Sequence, residues 1–230
     1  KKFFLSILFS LFFLSLNDDL IITNLRFSFY QNSVFLNNVS LFFTIFCIII
    51  LINSLNFYDG INGQSLIFFI IVFSYLSYKS PIHLIYLFII SILFFVLILN
   101  LKNQLFMGDS GIYTLGSILI ISIIYEYNVF KSIKFADEIF FLLILPGYDL
   151  LRLTITRILK GKNAFYGDRN HIHHLLINKF TLLKSNIFLI FLILLPLLLF
   201  SISGLNFFIT IILFTSIYIF LIFKLSKNDN

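Results

Sequence analysis

The chain has 230 residues, of which 60% are hydrophobic and 11% charged, with a mean hydropathy of +1.05. Soluble domains run about 45–50% apolar and about 25% charged, so this chain cannot hide its apolar surface from water and is expected to be a polytopic membrane protein. The apolar runs are continuous rather than alternating, which excludes a β-barrel and leaves an all-α transmembrane bundle in a single integral-membrane domain. The net charge is +6, and the single cysteine, Cys47, excludes an intrachain disulfide and any cysteine-based zinc cage. No nucleic-acid partner is expected.

In chain order, apolar spans are predicted at about 3–16, 38–55, 65–78, 82–99, 112–127, 138–157, 185–202 and 205–224, most of them near the ~20 residues a helix needs to cross a bilayer. Residue 1 is lysine and Met107 is the only methionine, so the chain is read as a fragment, a processed form or a partial gene model. The run 3–16 lacks a small-residue cleavage pattern and is read as a span rather than a signal peptide. Residues 20–36 contain Asn24, Arg26, Gln31 and Asn32. They are short and polar for a lipid-facing helix, and the expectations for them are a shielded short crossing, a re-entrant segment or a deletion.

The connections are of two kinds. Those near 79, 128–137 and 201–204 are plain, whereas 17–19, 53–63, 100–111 and 158–184 are dense with polar residues. Arg157, Lys160, Lys162, Arg169, Lys179, Lys184, Lys224 and Lys227 collect on the side of the last two groups, which charge bias assigns to the cytoplasm. Six of the eight aspartates, Asp18, Asp19, Asp59, Asp109, Asp149 and Asp168, are expected on that same side. Carboxylates gathered at one face of a basic membrane protein are costly unless they bind cations or pair. A transporter would instead spread them through the depth of the bilayer.

Hard oxygen ligands suggest Mg²⁺, with Mn²⁺ as the alternative, because Mg²⁺ prefers one or two carboxylates completed by water and substrate phosphate. Asp109, inside Phe106-Met107-Gly108-Asp109-Ser110-Gly111, stands where a helix begins and free N–H groups can receive phosphate; the plain alternative is a helix cap. His171, His173 and His174, beside Arg169, are read as a phosphate-gripping cluster, against the alternative of a solvated loop. Asp149 and Arg152, one helical turn apart, are expected to pair, and Pro146-Gly147 to disturb their helix.

These residues resemble the polyprenyl-phosphate N-acetylhexosamine-1-phosphate transferases, a branch of glycosyltransferase family 4 that starts the lipid intermediates of cell-envelope polysaccharides. Asn53-Ser-Leu-Asn56-Phe-Tyr-Asp59-Gly-Ile-Asn62-Gly63 is similar to that family's N-x-x-N-x-x-D-G-x-[DN]-G. Asn100 and the segment around Asp109 resemble its third motif, Asp18-Asp19 its first acidic pair, and the run from Gly161 to Leu175 its last loop. The His-Ile-His-His form resembles the branch that uses UDP-N-acetylglucosamine or related UDP-sugars. The family's first spans are missing upstream, and Ile112 stands where serine is common.

The resemblance implies transfer of HexNAc-1-phosphate from a UDP-N-acetylhexosamine to undecaprenyl phosphate, releasing UMP, at the cytoplasmic face of a bacterial inner membrane. It implies catalytic roles for Asp18, Asp19 and Asp109, with Asp18 or Asp19 as the base, and metal binding by Asp109 and Asp59. It implies substrate contacts from Asn53, Asn56, Asp59, Asn62, Asn100, Arg169, His171, His173 and His174. Some members of the family are homodimers. The rival readings are an inactive truncated homologue and an ion-coupled transporter.

Overall fold

The computed structural model describes residues 11–12, 14–161, 163 and 170–226. Eight labelled helices carry the fold: α1 (Ser40–Tyr58), α2 (Gln64–Lys79), α3 (His83–Leu101), α4 (Gly108–Asn128), α5 (Ala136–Leu159), α6 (Ile172–Ile177), α7 (Leu182–Leu197) and α8 (Phe207–Ser226). Among the described residues six helices are long and apolar enough to cross a membrane, and α2 is a shorter apolar one. The chain is therefore a polytopic membrane-spanning helix bundle. Seven of the expected spans appear as helices; the eighth, 3–16, lies mostly outside the described residues.

The apolar helix too short to be counted with those six is the most deeply buried one. α2 has 16 residues, about 24 Å at 1.5 Å per residue, less than the ~30 Å of a hydrocarbon core. Yet Leu66, Phe68, Phe69, Val72, Phe73 and Leu76 are fully buried, so α2 is solvated by protein and need not match the lipid. Peripheral helices turn large side chains outward, including Phe42 and Phe46 on α1, Phe88 and Phe95 on α3, and Ile212 and Phe220 on α8. That is the distribution expected when lipid rather than water surrounds a bundle.

The bundle is almost entirely helical, as expected, but residues 20–36 depart from what was expected of them. They form neither a crossing helix nor a re-entrant one but an antiparallel hairpin, β1 (Asn24–Phe27) and β2 (Tyr30–Phe35), with Asn24 opposite Phe35 and Phe27 opposite Tyr30. Valine, phenylalanine and tyrosine flank a two-residue turn at Ser28-Phe29, which suits a pleated ribbon better than a helix. The hairpin is fixed to the bundle end where α4 stops and α5 starts. The Arg26 amide donates to the Tyr127 hydroxyl at 2.6 Å, and its guanidinium to the Tyr127 carbonyl at 2.5 Å. The Ser28 amide donates to Asp137 at 2.6 Å.

A buried carboxylate organises that end. Glu126 is fully buried and accepts hydrogen bonds from Ser80 at 2.6 Å, Tyr86 at 2.7 Å and Ser132, tying the α2–α3 turn and α3 to the end of α4. Next to it Glu138 pairs with Lys79 at 2.9 Å and accepts from Tyr75 at 2.7 Å. The connection 128–137, plain in sequence, is thus a structural knot.

Because three hydroxyls converge on Glu126, Glu126→Ala is expected to cost at least about 3 kcal/mol, and Tyr86→Phe, which removes one donor, about 1.5 kcal/mol. Thermal unfolding in detergent measures both; equal midpoints for the two variants would refute the knot.

Candidate functional site at one end of the bundle

The site end is built around the five residues that join α1 to α2. Asp59 to Gly63 must reverse the chain between two membrane helices, and their polar groups are held one by one. The Ser65 hydroxyl donates to Asp59 at 2.5 Å. The Gly63 amide donates to the Asn100 side chain at 2.6 Å, and Asn100 donates in turn to the Leu105 carbonyl at 2.8 Å. Asn62 donates to Asn103 at 2.5 Å, and Asn186 on α7 donates to the Asn62 carbonyl at 3.0 Å. Gly63 adopts a φ of +87°, a left-handed geometry that glycine accepts without strain.

This settles what several asparagines do. Asn100 is buried with both halves of its amide engaged, and the Asn62 side chain is spent on Asn103. Both clamp the turn, Asn100 from a buried position and the half-buried Asn62 through its Nδ2. Asn53 donates back along its own helix to the Ile49 carbonyl at 2.7 Å. Asn56, one turn further, reaches across to Asp109 at 3.2 Å, and so joins the 53–63 segment to the start of α4, where Asp109 occupies the first turn.

Asp59 and Asp109 are thereby neighbours. Burial, opposed by the Ser65 hydrogen bond and reinforced by the Asp109 charge, pushes the Asp59 carboxyl above its ordinary range. Two carboxylates brought this close are costly unless a proton or a cation lies between them. Among the described residues no group of three or more His, Cys, Asp or Glu gathers for a metal, so a closed, zinc-type cage does not form.

The histidines close the site from the other side. α6 is short, but His173 on it is buried and its ring lies directly over Gly60, where an added Cβ would fall 1.8 Å from Nε2. Gln64 accepts from the Gly60 amide at 3.4 Å through Oε1 and contacts His173 Nδ1 at 3.3 Å through Nε2. An amide nitrogen can only donate, so Nδ1 is the acceptor. Burial, with the neighbouring His174, lowers the His173 pKa to about 3. His173 is therefore a neutral hydrogen-bonding group, not a cation, near neutral pH.

His171 is anchored from within the membrane span. Its Nδ1 lies 2.8 Å from Asp149 on α5, and its ring lies between Phe57 and His173, nearly parallel to both. Asp149 also pairs with Arg152 at 2.7 Å, as expected, and accepts from Tyr218 at 3.0 Å and from the Ile172 amide at 3.2 Å. Arg152 donates to the Asn170 carbonyl at 2.6 Å. Pro146 lies inside α5 and has no N–H for the Leu142 carbonyl. Arg169 and Asp168 lie outside the described residues.

Asp18 and Asp19 are not at this site. Asn128, at the far end of α4, donates to the Asp19 carbonyl at 2.7 Å and to the Ile21 carbonyl at 3.0 Å. α4 begins beside Asp109 and runs 21 residues to Asn128, roughly 30 Å at the helical rise. Only α1 crosses between Asp19 and Asn53, so the acidic pair stands at the opposite end, and its roles as base and partner of Asp109 are withdrawn. Sequence reasoning also missed Gln64, Asn186 and Tyr218. The polarity of Asn186 within an apolar span was the one signal available.

An apolar cavity of about 480 Å³ runs along the bundle between α1, α4 and α5, lined by Cys47, Leu51, Ile120, Ile124, Ile144 and Leu151 among others. Ser54 lines it too, one residue from Asn53.

The model for glycosyl transferase family 4 matches residues 1–126, more than half of the chain, and the chain belongs to that family. It is similar to the undecaprenyl-phosphate alpha-N-acetylglucosaminyl 1-phosphate transferase of Escherichia coli O157:H7, 28% identical over 170 residues, which are 69% of this chain and 46% of that protein. The proteins of the same name in Escherichia coli K12 and Shigella flexneri are each 29% identical over 147 residues, 59% of this chain and 40% of theirs. The chain thus spans less than half the length of these relatives.

The depressed pKa of His173 makes stability depend on pH. The unfolded chain binds a proton on this histidine near pH 6.5 and the folded chain only near 3, so the contribution is complete above 6.5 and is lost as pH falls between them. The loss is about 2 kcal/mol at pH 5. Thermal midpoints should fall from pH 7 to pH 5 more steeply in the wild type than in His173→Gln; parallel slopes would contradict a buried neutral imidazole.

Proposed function

We propose that this protein transfers HexNAc-1-phosphate from a UDP-N-acetylhexosamine to undecaprenyl phosphate, in the manner of the relatives named above. The observation that carries this reading is the meeting of three separated segments, Asn56–Asp59, Asp109 and His171–His173, at one end of a membrane bundle. A lipid substrate and a soluble nucleotide can both reach such a place. The excess of lysine and arginine near this end favours the cytoplasmic side of a bacterial inner membrane.

In the reaction, an oxygen of the carrier phosphate attacks the phosphorus that bears the sugar. The bond from that phosphorus to the bridging oxygen breaks, UMP leaves with the oxygen, and polyprenyl-diphosphate-HexNAc forms. A phosphate monoester has its second pKa near about 6, so the nucleophile is already ionised and needs no carboxylate base. Asp59 and Asp109, with Asn56 orienting Asp109, would hold Mg²⁺, whose chemistry is to offset the charge of the diphosphate. The neutral His173, buried against Gly60 and bonded to Gln64, would hold the 59–63 turn in place beside the substrate. Asp149 fixes the ring of His171. The start of α4 offers amide groups to an anion beside Asp109. The apolar cavity beside Ser54 suits the isoprenoid tail, since it offers carbon surface and almost no polar groups.

A transporter is disfavoured by the clustering of the carboxylates at the bundle ends. The test is radiolabel transfer from UDP-N-acetylglucosamine and UDP-N-acetylgalactosamine to undecaprenyl phosphate, with Mg²⁺ or with chelator. Label should enter the lipid only with metal and only with UMP released. Absence of transfer from either donor would overturn the reading and favour an inactive homologue. Asp109 is exposed, so Asp109→Asn should abolish transfer, a loss of at least about 100-fold, with an unchanged thermal midpoint. Wild-type turnover by this variant would remove Asp109 from the reaction.

A further inference from the structure

The hairpin at the end opposite the site has its charges and its apolar groups reversed relative to a ribbon that projects into water. Its one cation, Arg26, is folded inward, with the guanidinium carbon 4.1 Å from the centre of the Tyr127 ring and a hydrogen bond to the Tyr127 carbonyl. The anion it meets, Asp137, is buried against the Ser28 amide. From Phe27 to Tyr58 there is no charged residue at all. Exposed along β2 stand Tyr30 at 52% and Phe35 at 66%, on opposite faces of the ribbon, together with Val34 and the uncharged Gln31 and Asn32. Edge strands that face water are normally protected by charge, above all lysine, or by proline. This edge carries neither.

The apolar surface also continues into surface that faces lipid. β2 leads through the exposed Asn37 and Asn38 and Val39 into α1, whose first outward residues are Leu41 at 37% and Phe42 at 73% exposure. At the turn, Phe29 packs on Phe207 at 5.1 Å and Phe208 at 4.9 Å, the first residues of α8, and the outer side of α8 runs on through Phe208, Ile209 and Ile212. The hairpin cannot sink into hydrocarbon, because each strand pairs on one side only and its outer N–H and C=O groups need partners. Aromatic side chains with polar backbone beside them suit the head-group boundary, where tyrosine concentrates.

We propose that β2 is a membrane-interface element. The hairpin lies along the head-group zone of the leaflet opposite the candidate site, with Tyr30, Val34 and Phe35 against phospholipid. Its occupant is lipid rather than a protein partner. The proposal does not rest on the transferase reading.

The chain contains no tryptophan, so a single tryptophan reports its own surroundings. Phe35→Trp and Tyr30→Trp, both at exposed positions, are reconstituted into phosphatidylcholine–phosphatidylglycerol vesicles whose acyl chains carry bromine near the head group or near the chain end. Ile212→Trp on α8 serves as the deep reference. The hairpin variants should emit at short wavelength, lose most of their emission to the shallow bromines and less to the deep ones, and resist iodide. Ile212→Trp should show the reverse depth preference. Long-wavelength emission quenched by iodide and indifferent to brominated lipid would place the hairpin in water and overturn the proposal. Protection from both quenchers that disappears on dilution with excess lipid would show a second copy covering β2, and would overturn it equally. If one variant fails to reconstitute, the other carries the same test.

Discussion

Everything at the site end depends on how a backbone can leave one membrane helix and enter the next within five residues. At the edge of hydrocarbon each unpaired amide or carbonyl costs several kcal/mol, so the turn 59–63 can exist only where other elements bring it partners. Asn100 and Asn103 come from the end of α3, Asn186 from α7, and Gln64 and Ser65 from the first turn of α2. Their job of satisfying the turn also fixes the distances between helix ends. The same contacts that make the turn tolerable hold Asp59 near Asp109 and hold Gly60 under His173. A glycine is needed at 60 because the imidazole occupies the place of a side chain.

The histidine segment obeys the same logic from the other direction. A carboxylate in a membrane span is costly unless fully paired, and Asp149 is paired to excess, by Arg152, Tyr218, the Ile172 amide and His171. Satisfying Asp149 therefore draws the chain after α5 back onto the bundle, and α6 docks where its histidines meet Phe57 and Gly60. Electrostatic necessity inside the span and placement of the histidines outside it are one arrangement. This is why the pocket is assembled from segments more than a hundred residues apart.

These relations explain how much the sequence alone could reveal. Apolar runs record the bilayer directly, so the spans 38–55, 65–78, 82–99 and the four later ones were legible, as were the Asp149–Arg152 pair, one turn apart on one helix, and the polar density at 53–63 and around Asp109. The Asp149–His171 contact and the grip of Asn186 on Asn62 have no local spacing to announce them. The hairpin was illegible for a further reason: 20–36 is too polar for a span and too apolar for a water-facing loop, and its alternation is blurred by the irregularity between Leu25 and Phe27. The misplacement of Asp18-Asp19 followed from it. An acidic pair matches a motif by composition, but only the number of crossings after it decides which end of the bundle it reaches.

The two ends of the bundle solve the problem of polar groups in opposite ways. At the end with the hairpin, the carboxylates of Glu126, Glu138 and Asp137 are turned inward and accept from hydroxyls, a lysine and a backbone amide, with Oδ1 of Asp137 alone left without a partner among the described residues. At the site end, Asp59 keeps one stabilising hydroxyl against burial and a like charge, and Asp109 is exposed in the first turn of α4. An arrangement made only for stability would have treated both ends alike, since buried carboxylates are cheapest when fully paired. Two carboxylates brought together beside a helix start, one of them raised above its ordinary range by burial and by its neighbour, are where the fold gives up stability. Regions that do so without a packing reason are where function is to be sought.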